Sequence, residues 1–164
     1  MAKWRKKARG DTFESEVRRQ FGPVAERLGI VETPVPEHVA MFGGVDYEND
    51  VLEYRWLMDH LEGDVSVTIR LDHDGDRYIT GVEDLVVNGK LGVRQDLRSG
   101  GRSWRAIQQA IASHITWIER LHSRLMAPDA VTLIEEAGGR KHVPETARSS
   151  TEHLRVSRED RKEP

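Results

Sequence analysis

Between Val65 and Leu71 every second residue is apolar: Val65, Val67, Ile69 and Leu71 alternate with Ser66, Thr68 and Arg70. A period of two belongs to a strand with one buried face, because successive side chains point to opposite sides of a sheet. Asp74-Gly75 follows as a turn, then a strand-like run from Arg77 to Val87. Asn88-Gly89 comes next, a dipeptide suited to the positive φ angles of a two-residue hairpin loop, and Leu91 and Val93 resume the alternation. The stretch Val65–Arg94 therefore reads as an antiparallel β-meander. Any fold for this chain has to accommodate it.

The flanks supply the partners of that sheet. Upstream, Leu52, Tyr54, Trp56 and Met58 share one face of a run from Val51, with Glu53 and Arg55 on the other. His38–Val45 reads as the opening strand, and Gly81 suggests a bulge inside the run it interrupts. Phe13, Val17, Phe21, Val24 and Leu28 recur at helical spacing, behind a capping box of Asp11 and Glu14 and ahead of Gly29 as the stop. Pro23 predicts a kink or two abutting helices near Phe21-Gly22. Val35-Pro36 is an extended connector. Ser99-Gly100-Gly101 is a flexible hinge into the longest helix, which Ser103 caps and whose stripe is Ile107, Ile111, Ile115, Ile118, Leu121 and Leu125. Ala130–Ala137 fits a short helix or a strand, and the polar chain from Arg140 onward reads as disordered.

This order gives an α+β fold: an antiparallel β-meander of about 4–6 strands, with an N-terminal helix and a long C-terminal helix packed on one face as a two-layer sandwich. The expected division is a basic disordered arm over residues 1–10, a single α+β domain over 11–138 and a charged disordered tail over 139–164.

Charge is unevenly placed along these parts. Lys3, Arg5, Lys6, Lys7 and Arg9 make the arm basic, whereas residues 10–137 hold 13 Lys or Arg against 23 Asp or Glu, a net of −10. An acidic body repels phosphate backbones and suits a basic partner, while the Lys3–Arg9 segment alone is suited to nucleic acid. No apolar run approaches the roughly 18 residues of a membrane span. The absence of cysteine and of an apolar leader points to a cytoplasmic protein.

One stretch has metal-ligand spacing. With Asp72 as the first position of a calcium loop, Asp74, Asp76, the Tyr78 carbonyl, Thr80 and Glu83 fall on ligand positions. Arg77 stands where such a loop has glycine, and a strand rather than a helix enters it. Turn chemistry accounts for the same Asp and Gly residues without a metal. Asp72, Asp74, Asp76 and Glu83 are thus the candidate ligands, and a weakly held divalent cation is the only cofactor indicated.

No catalytic residue is nominated. G-x-S-x-G, H-E-x-x-H and a phosphate-cradling glycine loop are all absent. The Asp59-His60 and Asp72-His73-Asp74 groups lie at opposite ends of one strand, roughly 25 Å apart at about 3.3 Å per residue. His114 falls on the long helix's apolar stripe, where it reads as a core residue with a hydrogen-bond partner. Trp56, Trp104 and Trp117 are expected in the core. The function expected is a non-enzymatic protein-binding module for a basic partner. Its size, charge and layout are similar to those of toxin-neutralising immunity proteins and small secretion chaperones, with no shared motif. The alternatives are a divalent-metal protein or metal-dependent enzyme built on Asp72–Glu83, and nucleic-acid association through Lys3–Arg9.

Overall fold

A six-stranded antiparallel sheet organises the computed structural model, which describes residues 12–36 and 43–142. Its strands follow chain order: β1 (Val31–Thr33), β2 (Gly44–Glu48), β3 (Leu52–Met58), β4 (Val65–His73), β5 (Asp76–Gly81) and β6 (Arg140–His142). The helices are α1 (Phe13–Leu28), α2 (Val82–Val87), α3 (Trp104–Leu125) and α4 (Ala130–Glu136). Together they form the expected two-layer α+β arrangement.

The alternation of β3 and β4 decides which side is covered. Leu52, Tyr54, Trp56 and Met58 on β3, and Val65, Val67, Ile69 and Leu71 on β4, are all buried. Phe21 of α1 enters this surface, with its ring centroid 5.0 Å from Tyr47, 5.1 Å from Trp56 and 6.3 Å from Tyr54. From α3, Ile107, Ile111, Ile115, Ile118, Leu121 and Leu125 are buried beside it. Trp56 and Trp117 are core residues, and Trp104 packs against the core half-buried.

Several local expectations are corrected. The cap of α1 is Thr12, whose hydroxyl accepts from the Ser15 N–H while Ser15 returns a bond to Thr12, so the box lies one residue beyond the Asp11–Glu14 pair. The helix runs on through Pro23 as one element rather than two. A short strand, β1, precedes the connector, and the opening strand of the sequence reading is found as Gly44–Glu48; residues 37–42 lie outside the described residues.

The largest correction concerns the second half of the meander. The run Arg77–Val87 is a strand only to Gly81, which pairs with Thr68 and then caps α2. Val82, Leu85 and Val86 are buried at i, i+3 and i+4, a helical stripe, with Glu83 and Asp84 favourably placed in the first turn. Asn88-Gly89 closes this helix instead of turning a hairpin: both N–H groups donate to the Asp84 carbonyl. Leu91 and Val93 pair with no strand among the described residues.

Two further assignments concern the C-terminal half. Ala130–Glu136 is a helix, which settles the choice left open by the sequence. Arg140–His142, placed in the tail by the sequence, pair with Ile79–Arg77 as the sheet's sixth strand. The Ser99-Gly100-Gly101 hinge is pinned: Asp64 and Gly100 form a β-bridge, and the Gly101 N–H donates to the Gly63 carbonyl.

Candidate functional site

The β4–β5 connection is a two-residue turn in which Asp74 (φ 52°) and Gly75 (φ 82°) both adopt positive φ, as a hairpin with right-handed strand twist requires. Asp72 lies opposite Arg77 and receives a two-pronged guanidinium contact, Nε to Oδ1 at 2.6 Å and Nη2 to Oδ2 at 2.8 Å. Those hydrogen bonds hold the Asp72 carboxyl below its ordinary pKa. Asp76 is paired with Lys141 at 2.5 Å and Glu83 with Arg94, while Asp74 faces the His73 ring at 3.4 Å. The four candidate ligands thus sit on two strands, a turn and a helix, and three of them are already matched with cations. Among the described residues no group of three or more His, Asp or Glu is placed to hold a metal ion.

The buried histidines are held by structural bonds. His114 Nδ1 lies 2.9 Å from the Ala110 carbonyl, and His122 Nδ1 lies 2.9 Å from the Tyr54 hydroxyl. Desolvation lowers the pKa of both rings, opposed by backbone bonds to Ala110 and Leu28 respectively, so the neutral imidazole is the form the fold accepts. Burial likewise raises the Tyr54 phenol. A phenol held in its protonated form by burial is suited to donate to the unprotonated Nδ1 of a neutral His122.

The sheet face away from the helices is polar and ordered by register. One row reads Glu48, Glu53, Arg70, Ile79 and Arg140 across β2 to β6; the next reads Thr33, Asp46, Arg55, Thr68 and Gly81 across β1 to β5. Asp46 is only 3% exposed and takes both prongs of Arg55, at 2.7 and 3.0 Å. Arg55 also contacts Glu53 at 3.3 Å, and Arg70 contacts Glu53 at 2.7 Å. Burial raises the Glu53 pKa against the pull of these two arginines.

Two surfaces stand out at the ends of β5. At its start, the β2–β3 and β4–β5 turns meet, the Asp72 N–H donating to the Val51 carbonyl at 2.8 Å. This end gathers Glu48, Asp50, Asp72, Asp74 and Asp76 beside Val51 (37% exposed) and Met126 (48% exposed), whose sulfur accepts from Asn49. Glu48 and Asp50 make no ion pair among the described residues. At the other end of β5 is a cleft of about 660 Å³ whose walls include Thr68, Thr80, Asp84, Asn88 and Arg140.

No family model, curated protein or solved structure matches this chain. Among the described residues no helix is long and apolar enough to cross a membrane. The Lys3–Arg9 segment lies outside the described residues.

Sequence reasoning found the acidic turn but missed what surrounds it. The exposed Val51 and Met126 carry no periodic signal, since one is a turn residue and the other a helix C-cap. The sequence pattern places Arg140 in the tail, and Asp84 and Asn88 in a strand and a hairpin turn. Their convergence depends on β5 ending at Gly81, which only the tertiary arrangement reveals.

Proposed function

We propose that this protein is a non-enzymatic binding module that engages a basic protein partner through the acidic end of its sheet. The observation that carries this reading is the meeting of the two hairpin tips: Glu48 and Asp50, which form no ion pair among the described residues, stand beside exposed Val51 and Met126. Uncompensated charge steers an oppositely charged partner and sets register, while exposed apolar side chains supply area that gains from burial. Methionine suits this role because its unbranched side chain adapts to varied surfaces. The buried histidines are engaged in hydrogen bonds that a catalytic proton shuttle would have to break.

The test is a co-purification of tagged wild-type protein against a Glu48→Lys, Asp50→Lys, Asp74→Lys variant, with an oligolysine peptide as a defined probe in fluorescence anisotropy. The wild type is expected to bind the peptide with an affinity that falls as salt rises, and the variant to lose that binding and any co-purifying partner. Equal binding by wild type and variant, or none by either, would sink the reading.

A further inference from the structure

The cleft at the end of β5 has a composition that ion pairing within the fold does not explain. Arg70 is committed to Glu53 and Lys141 to Asp76, at 2.7 and 2.5 Å. Arg140 opens β6 opposite Ile79, at the end of the cross-strand row that includes Arg70, and its guanidinium has no hydrogen bond or ion pair among the described residues. A free arginine at the mouth of a cleft, in a body of net negative charge, is a fork of donors without an acceptor.

The facing wall has the opposite character. Asp84 and Asn88 come from α2, and the Asn88 amide is fixed by the Ala137 carbonyl at 3.3 Å. Asp84 receives only a long contact from Asn88, at 3.5 Å, and no cation among the described residues. Between the walls, Gly81 contributes no side chain opposite Thr68, whose hydroxyl has no hydrogen bond among the described residues, and the Asp84 carboxylate lies 3.0 Å from where a Gly81 Cβ would be. The carbonyls at the end of α4 do not compete for a ligand, because the Ala137, Gly138 and Gly139 N–H groups already satisfy Leu133, Glu135 and Ile134.

We propose that this cleft binds a small polar molecule carrying an oxyanion, held by Arg140, and an ammonium or hydroxyl donor, held by Asp84. Its volume of about 660 Å³ falls within the range of small-molecule sites, about 300–1,000 Å³. An oxyanion alone satisfies Arg140 but meets Asp84 as a like charge, which is why the second group is required. The site is separate from the acidic hairpin end, since the two lie at opposite ends of β5.

Titration of the full chain followed by amide NMR shifts tests this, with four probes: inorganic phosphate, acetate, phosphoethanolamine and glycine. The expected result is saturable shifts at Thr68, Gly81, Asn88 and Gly138–His142, with at least one ammonium-bearing probe binding about tenfold more tightly than its ammonium-free counterpart, the gain of one charge-assisted contact. Whichever ammonium-bearing probe binds better identifies the oxyanion as phosphate or carboxylate. Arg140→Gln, which keeps the side-chain stem on an exposed strand, is expected to abolish saturation. Asp84→Asn is expected to erase the advantage of the ammonium, with shifts outside the cleft confirming that each variant is folded. Binding that survives Arg140→Gln, shifts scattered over other arginines, or no saturation by any probe would overturn the proposal.

Discussion

Single side chains in this protein are placed by what they must satisfy. The Tyr54 hydroxyl and His122 Nδ1 lie 2.9 Å apart with Tyr54 fully buried, so removing the hydroxyl strands a buried imidazole nitrogen. Tyr54→Phe is expected to lower stability by about 1–3 kcal/mol, read as a shift in the urea midpoint with an unchanged slope. The same burial makes stability depend on pH. His114 and His122 have pKa values lowered in the folded state, so below the ordinary value of about 6.5 the unfolded chain takes up protons that the native one refuses. Stability is therefore full above that pH and falls as pH drops through it toward the folded pKa values. Each histidine contributes a slope of up to about 1.4 kcal/mol per pH unit. Glu53, with its pKa raised by burial, acts in the opposite sense at the acidic end of the window. Urea titrations at pH 7.5, 6.5 and 5.5 are expected to show a falling midpoint, and His122→Gln a shallower fall; a flat profile would mean that both rings titrate freely in the native state.

Elements were legible where one face is buried and the spacing is long. The β3 and β4 alternation, the Asp74-Gly75 turn and the α3 stripe were all visible, because burial on one side imposes period 2 or 3.6 on the residues themselves. The β5–α2 boundary was not visible. Val82, Leu85, Val86 and Val87 are β-branched or aliphatic, and their local preference favours a strand. Packing against β4 and α3 overrides that preference, and Asn88-Gly89 serves a helix end as readily as a hairpin. Likewise, glycines read as a hinge are a clamp, since close approach of two loops distant in sequence leaves no local trace. A Cβ on Gly100 would sit 2.2 Å from the Gly63 carbonyl oxygen, at φ 125°. Gly29, at φ 71°, has nothing within 4 Å. Gly29→Ala is accordingly expected to cost about 1–2 kcal/mol for its left-handed backbone alone. Gly100→Ala adds the clash and is expected to cost at least about 2 kcal/mol more, by the scale of overpacked sites. Similar losses from the two substitutions would show that the 63–64 and 99–101 segments are not held together.

At the scale of the whole molecule the question is where the domain ends. Composition places the limit at residue 138, because Arg140 onward looks too polar to fold. The sheet places it at His142: β6 pairs with Arg77–Ile79 of β5, the Gly139 N–H caps α4 through the Ile134 carbonyl, and Lys141 reaches Asp76. A strand whose side chains are all exposed has no periodic apolar signature, so its membership rests on backbone hydrogen bonds that composition does not record. These bonds carry the energetic weight, since an exposed ion pair such as Lys141–Asp76 contributes little. A chain ending at Gly138 is expected to be less stable than one ending at His142 by about 2–3 kcal/mol, at about 1 kcal/mol for each ladder or cap hydrogen bond lost. It also leaves the edge of β5 uncovered, and an unpaired edge recruits other chains, so the shorter protein is expected to show concentration-dependent association in sedimentation. Because Arg140 leaves with β6, the shorter chain should lose the cleft's oxyanion affinity while the acidic hairpin end, formed by β2 to β5, keeps its hold on a basic peptide. Equal denaturation midpoints for the two chains would mean that the sheet in solution has five strands, and that Arg140 belongs to the tail after all.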